Sequence, residues 1–328
     1  MLLDKWGRQM DYLRIAITDR CNLRCFYCMP EAGITYMPKT ELLTYEEVNR
    51  LATIFCSLGV NKIRITGGEP FLRRDLMSFL KELRKTKGLQ QLHITTNGVL
   101  TTPHIKDFKK IGIDGVNLSL DSLNKENFER ITRRDEFETV MNCLNELIAH
   151  EIPTKINTVV MNNSNTEEIC NIAQLAENKN IDVRFIEEMP FNGSNLAQNQ
   201  IWNHQDILEE LKNKFPLIHP VESNPTEPAT KYQIPNFEGK IGIIPAYTRT
   251  FCGSCNRIRL TAKGTIKNCL YDEGVLDLKN ILRGGASDNE IRNMLLTTVQ
   301  KKEKNGLIAE ANRKVDKTIS SSMSEIGG

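Results

Sequence analysis

The sequence predicts an α/β fold built on a parallel sheet or barrel, followed by a smaller region of different character. Three observations predict it. Between Tyr12 and about Glu188, short β-rich runs alternate with helical stretches, the pattern of βαβ units. Most of these runs end in a polar or glycine-rich cluster. After about Pro216 the alternation gives way to Pro-, Gly- and Asn-containing connections with short β-like pieces.

The expected strands are Leu13–Thr18, Lys62–Thr66, Leu92–Thr96, Val116–Leu120, Lys155–Val160 and Val183–Ile186. Six strands fall short of the eight of a closed barrel. Helix starts lie between them: Thr44 with Glu47 forms a capping box, and Thr102 before Pro103 supplies an N-cap with proline at the first helical position. The clusters at strand ends are Thr66-Gly67-Gly68-Glu69, Thr95-Thr96-Asn97-Gly98, Ser119 with Asp121, and Arg184 with Glu187-Glu188. Parallel α/β folds bind ligands beyond the C-terminal ends of their strands, so these clusters should converge on one cleft. The expected division is a first domain over residues 1–216 and a C-terminal region over 217–328 folded back on it.

At 328 residues the chain can bury a large core, and 40% hydrophobic with 26% charged residues excludes a disordered or fibrous chain. Lys plus Arg total 43 against 41 for Asp plus Glu, a net charge of +2 that gives no field for nucleic acid or membrane binding. No apolar run approaches the roughly 20 residues of a membrane span, and MLLDKWGRQMDYLR lacks a secretory apolar stretch, so a cytoplasmic location is expected. Nine cysteines in a reducing compartment point to metal binding or catalysis rather than disulfides. Cys56, Cys143 and Cys170 each stand alone in helix-like segments and read as buried structural thiols.

The other six cysteines form two groups of three. Cys21, Cys25 and Cys28 follow the first strand as C-x3-C-x2-C. Three thiolates leave one iron of a [4Fe–4S] cluster open to chelate S-adenosylmethionine (SAM); a zinc loop completed by a distant His, or an electron-transfer cluster, is also compatible with this spacing alone. The second strand ends in Gly67-Gly68-Glu69-Pro70, where absent side chains would let backbone groups reach the SAM amino acid moiety. Together the cysteine loop and this GGEP loop resemble the radical SAM superfamily. That resemblance implies a partial (βα)6 TIM-like barrel, with a smaller C-terminal α+β region closing its mouth, and an aromatic near the adenine at Tyr27.

Cys252, Cys255 and Cys269 read C-x2-C-x13-C with no evident fourth cysteine. A zinc ribbon would need a further ligand such as His204 or His219, whereas a second [4Fe–4S] cluster with an open iron explains the same odd count twice. Arg257 and Arg259 alternate along the following strand, which puts both on one face for an anionic or carbonyl-bearing substrate. Arg14, Lys62, Arg64 and Lys155 fall on expected barrel strands and suit a triphosphate.

YLRIAITDRCNLRCFYCMP, TGGEPFLRRDL, FCGSCNRIRLTAKG and the terminal Gly327-Gly328 together resemble, over essentially the whole chain, the GTP 3′,8-cyclase family of molybdenum cofactor biosynthesis. The resemblance implies two [4Fe–4S] clusters and SAM as cofactors, with SAM contacts at Gly68, Ser119, Met189, Tyr27 and Arg184. It implies GTP contacts at Arg14, Lys62, Arg64, Thr95, Lys155 and the stretch Arg257, Ile258, Arg259. The catalytic set it implies is Arg257, Arg259, Gly327 and Gly328, the double glycine entering the active site. A homodimer and delivery of product to cyclic pyranopterin monophosphate synthase also follow from it, and the reductive chemistry calls for a flavodoxin- or ferredoxin-like low-potential donor. Trp6 and Tyr271 stand where the family usually has phenylalanine. Two other readings are a radical SAM enzyme that modifies a peptide, and a zinc-binding or electron-transfer protein. The single short auxiliary group, the paired arginines and the terminal glycines argue against the first.

Overall fold

The computed structural model describes residues 1–30, 33–189, 201–313 and 323–326. Gly327 and Gly328 lie outside the described residues. The six expected strands form with ends shifted by a residue or two: β1 Tyr12–Ala16, β2 Lys62–Thr66, β3 Gln91–Thr96, β4 Gly115–Ser119, β5 Thr154–Val160 and β6 Asp182–Glu187. They lie side by side in chain order, all parallel.

Helices α1 Tyr45–Ser57, α2 Leu76–Arg84, α3 Ile105–Ile111, α4 Lys125–Thr132, α5 Phe137–Ala149 and α6 Ile169–Ala173 run between the strands. Thr44 and Glu47 form the reciprocal capping box that opens α1. The start near Pro103 differs from expectation. Thr101 holds the cap position without a side-chain cap bond, and Thr102 and Pro103 belong to a 3₁₀ turn leading into α3. The Thr101 hydroxyl is instead paired with that of Thr96 at 2.8 Å, in the core beside the GGEP loop.

The C-terminal part adds helix α7 His204–Lys214 and strands β7 His219–Val221, β8 Thr230–Gln233, β9 Lys240–Ile244, β10 Arg257–Leu260, β11 Thr265–Lys267 and β12 Leu276–Asp277. Helices α8 Leu278–Arg283, α9 Asp288–Gln300, α10 Gly306–Ala311 and α11 Met323–Ile326 complete it. Its strands extend the first sheet at both edges. β9 pairs parallel with β6 and carries β8 and β7 antiparallel beyond it. β10 pairs parallel with β1 and carries β11 and β12. One twelve-stranded sheet thus runs from β12 at one edge to β7 at the other.

Strand alternation and register sort the side chains into two faces. Ile258, Leu13, Ile63 and Leu92 align across β10, β1, β2 and β3, as do Leu260, Ile15, Ile65 and Ile94, and all are buried in one continuous apolar core with Leu51, Phe55, Leu80 and Phe108 of the helices. The alternate positions, among them Tyr12, Arg14, Lys62 and Arg64, face a cavity on the other side. Among the described residues no helix is long and apolar enough to cross a membrane. All nine cysteines are free thiols; Cys56 and Cys143 are buried as expected, but Cys170 is only half-buried, its thiol donating to the Glu210 carbonyl at 3.5 Å.

Candidate active site

The loop after β1 carries the first cysteine group and is fixed by its backbone. Arg24 and Phe26 donate to the Thr132 and Ile131 carbonyls at 2.9 and 3.1 Å, and Cys28 and Met29 both donate to the Cys25 carbonyl at 2.9 Å. The GGEP loop packs directly against it. Gly68 N–H donates to Thr18 O at 2.8 Å and Glu69 N–H to Arg20 O at 2.7 Å, while a Cβ on Gly68 would stand 2.2 Å from Arg20 O. The missing side chain is therefore required for contact between the two loops. Because the Gly68 and Glu69 N–H groups are used there, this part of the loop offers a ligand its carbonyls rather than its amides.

Glu69 is fully buried and joins the loops from behind. Its carboxylate accepts from Phe71 N–H, the Thr96 hydroxyl and Asn97 N–H, and burial pushes it up to about 7. Asn97 in turn donates to Cys21 Sγ at 3.6 Å and Asn22 Oδ1 at 2.9 Å. Burial raises the Cys21 thiol to about 11, Cys28 to about 12 and Cys25 well above its ordinary value. The Ser324 backbone amide of α11 hydrogen-bonds Cys28, which brings the C-terminal turn onto this loop. Three clustered thiols, with donors aimed at two of the sulfurs, fit the thiolate ligation and sulfur hydrogen bonding of an iron–sulfur cluster. Tyr27 donates to Asp121 Oδ2 at 2.8 Å, and burial lifts Asp121 to about 6.

The second cysteine group lies on the wall of a cavity of about 550 Å³. Two rows of side chains cross the inner face of the sheet beside it. Arg257, Tyr12, Lys62 and Gln91 form one row, and Arg259, Arg14, Arg64 and His93 the next. Lys155 and Arg184 line the cavity from β5 and β6, with Met189, Phe251 and Tyr271 as apolar wall. The site thus extends past the cleft expected at the strands' C-terminal ends, along the inner face to their first residues, because polar alternation in β1 and β2 begins there. Ile258 is turned into the core between its two arginine neighbours and does not line the cavity. Thr95 stands behind the wall, accepting from Arg64 Nη1 at 3.5 Å, and Ser119 is half-buried at the end of β4.

The cavity is electrostatically unbalanced. Burial, then the neighbouring Arg259, holds Arg14 well below its ordinary value, and burial also lowers Lys62 and Lys155. Arg257 Nε and Nη2 and Arg184 Nε are buried with no hydrogen-bond partner among the described residues. Buried cationic donors without partners are costly, so this wall is suited to an anionic ligand.

Fixed cations also surround the second thiol group. Burial alone would raise Cys255, but Lys302, Arg257 and Arg8 bring it down to about 6, while burial keeps Cys269 above its ordinary value. Lys302 is 3% exposed and donates to the carbonyls of Arg257, at 2.9 Å, and of Asn268. Arg8, paired with Asp4 at 2.6 Å, donates to Cys252 O at 2.7 Å, and Gly306 N–H reaches Cys252 Sγ at 3.4 Å. Cations and amides placed around thiols favour thiolate, the form that binds metal. Neither His204, whose Nδ1 lies 3.1 Å from Glu187, nor His219, which faces the Leu217 carbonyl, lines the cavity whose wall holds the second cysteine group. Among the described residues no group of three or more His, Cys, Asp or Glu is set to hold a single metal ion.

Tyr12, Glu227, Arg249 and Lys302 were not among the expected site residues. The signal for Tyr12 is its place two residues before Arg14, on the same strand face. Arg249, at φ 59°, lies 3.6 Å over the Tyr271 ring and pairs with Glu310 at 2.7 Å. Both aromatic replacements find partners for their polar atoms: Tyr271 donates to Ala246 O at 2.9 Å and Trp6 Nε1 to Lys302 O at 3.1 Å.

The Radical SAM superfamily profile matches residues 15–176, and that of Molybdenum Cofactor Synthesis C matches residues 181–308. The GTP 3′,8-cyclase of Thermodesulfovibrio yellowstonii is 41% identical over 302 residues, covering 91% of this chain and 94% of that one. The mitochondrial GTP 3′,8-cyclase of Arabidopsis thaliana is 41% identical over 304 residues, 92% of this chain and 78% of its own. Molybdenum cofactor biosynthesis protein 1 of Drosophila melanogaster is 40% identical over 304 residues; these cover 92% of this chain, which spans only 54% of that longer protein. Among solved structures, SuiB of Streptococcus suis bound to S-adenosylmethionine aligns at TM-score 0.56 and 15% identity, over 87% of this chain and 68% of that one. The enzyme anSMEcpe with bound AdoMet and Cp18Cys peptide aligns at 0.59 and 16%, over 93% and 84%. These two likenesses concern the fold, the partial barrel of radical SAM enzymes. A relative of nearly equal length at 41% identity settles the family: the chain belongs to the radical SAM GTP 3′,8-cyclases of molybdenum cofactor biosynthesis.

Proposed function

We propose that this protein is a SAM-dependent lyase that converts GTP to (8S)-3′,8-cyclo-7,8-dihydroguanosine 5′-triphosphate, the first step of molybdenum cofactor biosynthesis. 5′-Deoxyadenosine and methionine are the co-products. The observation that carries this reading is one cavity in which unpartnered guanidinium nitrogens of Arg184 and Arg257 share a wall with Cys252, Cys255 and Cys269. A triphosphate offsets such crowded cations, and Cys252, Cys255 and Cys269 would hold a cluster whose open iron could take a nitrogen or oxygen of the base.

In this reading Cys21, Cys25 and Cys28 hold one [4Fe–4S] cluster with SAM, and Cys252, Cys255 and Cys269 hold a second with the substrate. When bound, the first cluster and SAM supply the 5′-deoxyadenosyl radical that takes hydrogen from C3′ of GTP. Residues 1–216 form the radical-generating part and 217–328 the substrate-holding part. Lys62, Arg64, Lys155 and Arg14 hold the triphosphate, with Thr95 supporting Arg64. Arg257 and Arg259, positioned by Ile258 between them, orient the nucleoside. Tyr27, Gly68, Ser119 and Met189 contact SAM. Arg184 shares Glu227 with Lys155, and we group it with the phosphate-binding cations rather than with the SAM carboxylate. Gly327 and Gly328 complete the catalytic set in this reading, and Met323 of α11 lines the cavity. The protein would act in the cytoplasm as a homodimer, draw electrons from a flavodoxin- or ferredoxin-like donor, and pass its product to cyclic pyranopterin monophosphate synthase.

The test is an anaerobic assay of the reconstituted protein with GTP, SAM and dithionite. The intact chain should form 5′-deoxyadenosine and the cyclised nucleotide together, whereas Cys252→Ala and a form lacking the last two glycines should lose the nucleotide product. SAM cleavage with GTP left unchanged would refute the substrate assignment.

A further inference from the structure

Glu227 stands among the cations to which the proposed function assigns the triphosphate. Its carboxylate lies 2.8 Å from Lys231 Nζ, 3.7 Å from Arg184 Nη2 and 3.9 Å from Lys155 Nζ. It sits on the connection between β7 and β8, of which Asn224, Thr226, Glu227 and Pro228 line the cavity. This connection is organised by its own turn: Asn224 Oδ1 accepts from both the N–H and hydroxyl of Thr226, and Asn224 O accepts from Glu227 N–H at 2.8 Å.

A phosphate oxygen approaching Lys155 and Arg184 meets this carboxylate already in place. Two anions in contact repel, and half-burial weakens the solvent screening that would otherwise mask the repulsion. The cations cannot serve both at full strength. We infer that Glu227 is an exchangeable internal counter-ion, which neutralises the phosphate subsite when it is empty and is displaced, with its loop, when a polyphosphate enters. This rests on the triphosphate reading above and adds a selectivity element to it. A ligand without phosphates leaves Glu227 paired and gains nothing from Lys155 and Arg184. A triphosphate brings enough charge to replace it.

The test is calorimetric binding of GTP and guanosine to the anaerobically reconstituted protein without reductant, so that no turnover occurs. For Glu227→Gln, GTP should bind about tenfold more tightly, the scale of one like-charge contact removed, and guanosine should bind as it does to the natural chain. GTP binding that is unchanged or weaker in the variant would overturn the inference, since Glu227 would then orient the cations rather than compete for them. Hydrogen exchange on the unaltered chain gives a second measurement that needs no variant. Addition of GTP should speed exchange over residues 222–228 while slowing it around Lys155; slower or unchanged exchange at 222–228 would overturn the displacement. If the unaltered chain binds no GTP at all, the substrate reading itself fails, a result distinct from either of these.

Discussion

Arg64 Nε donates to the Tyr12 hydroxyl at 2.6 Å, on a strand face where Arg14 and Lys62 also stand beside the phenol. Burial alone would raise the Tyr12 pKa, but these cations outweigh it and bring it down to about 7. Tyr12 therefore supplies a titratable negative charge inside a cationic wall.

The sign of its contribution to stability follows from the lowered value. Between about pH 7 and pH 10 the folded chain has lost a proton that the unfolded chain keeps, so stability rises with pH across that interval and the contribution vanishes below it. In ligand-free protein, Tyr12→Phe should fall below the natural chain in denaturant unfolding near pH 6 only by the lost Arg64 hydrogen bond, about 1 kcal/mol, and by a larger margin near pH 9, with loss of the tyrosinate absorbance that appears near neutrality. Equal pH slopes for the two proteins would show that Tyr12 stays protonated.

Gly68→Ala should disable the first cysteine loop. A Cβ at 2.2 Å from Arg20 O leaves no rotamer to escape through, so backbone must shift where the two loops touch. The expected cost is about 2 kcal/mol or more, with reduced iron content and loss of SAM cleavage. A variant that retained full iron and stability would mean the loops adapt without loss.

Lys302→Met removes a buried cation that ties the segment after Cys255 to the segment before Cys269. Two buried carbonyls lose their donor, which predicts destabilisation of about 2–4 kcal/mol in thermal unfolding. On the two-cluster reading, iron per chain should fall by roughly half, from about eight atoms to about four. Full iron retention would place the lysine's role in the fold alone.

Tyr271→Phe should cost a little stability and leave activity intact. It deletes the hydrogen bond to Ala246 O but keeps the ring under Arg249. A loss of about 1 kcal/mol in stability is expected, with GTP-dependent 5′-deoxyadenosine formation unchanged. A large fall in activity would assign the hydroxyl a direct part in the site.

Much of this architecture is visible in local sequence. The six strands announce themselves as apolar runs with polar ends, and the period-2 spacing of Arg257 and Arg259 places both on one face before any fold is known. What sequence does not show is who stands opposite. Nothing near Tyr12 indicates that Arg257 is its partner, and nothing near Lys302 links it to cysteines more than thirty positions earlier. Glu227 reads as an ordinary loop acid until Lys155 and Arg184 are brought to it. Thr102 fails as a cap because it lies inside the 3₁₀ turn, and Thr101, which holds the cap position, turns its hydroxyl to Thr96 in a contact made only in the folded chain.

The parallel pairing of β10 with β1 also imposes an order on biogenesis. The loop holding Cys21, Cys25 and Cys28 is made long before Arg257–Leu260, and β1 lacks that neighbour until it has been made. Loop closure over so long a separation is slow. The cavity is thus closed by strands made long after the first cysteine loop, and a truncated chain that keeps that loop would lack the wall carrying Arg257 and Arg259.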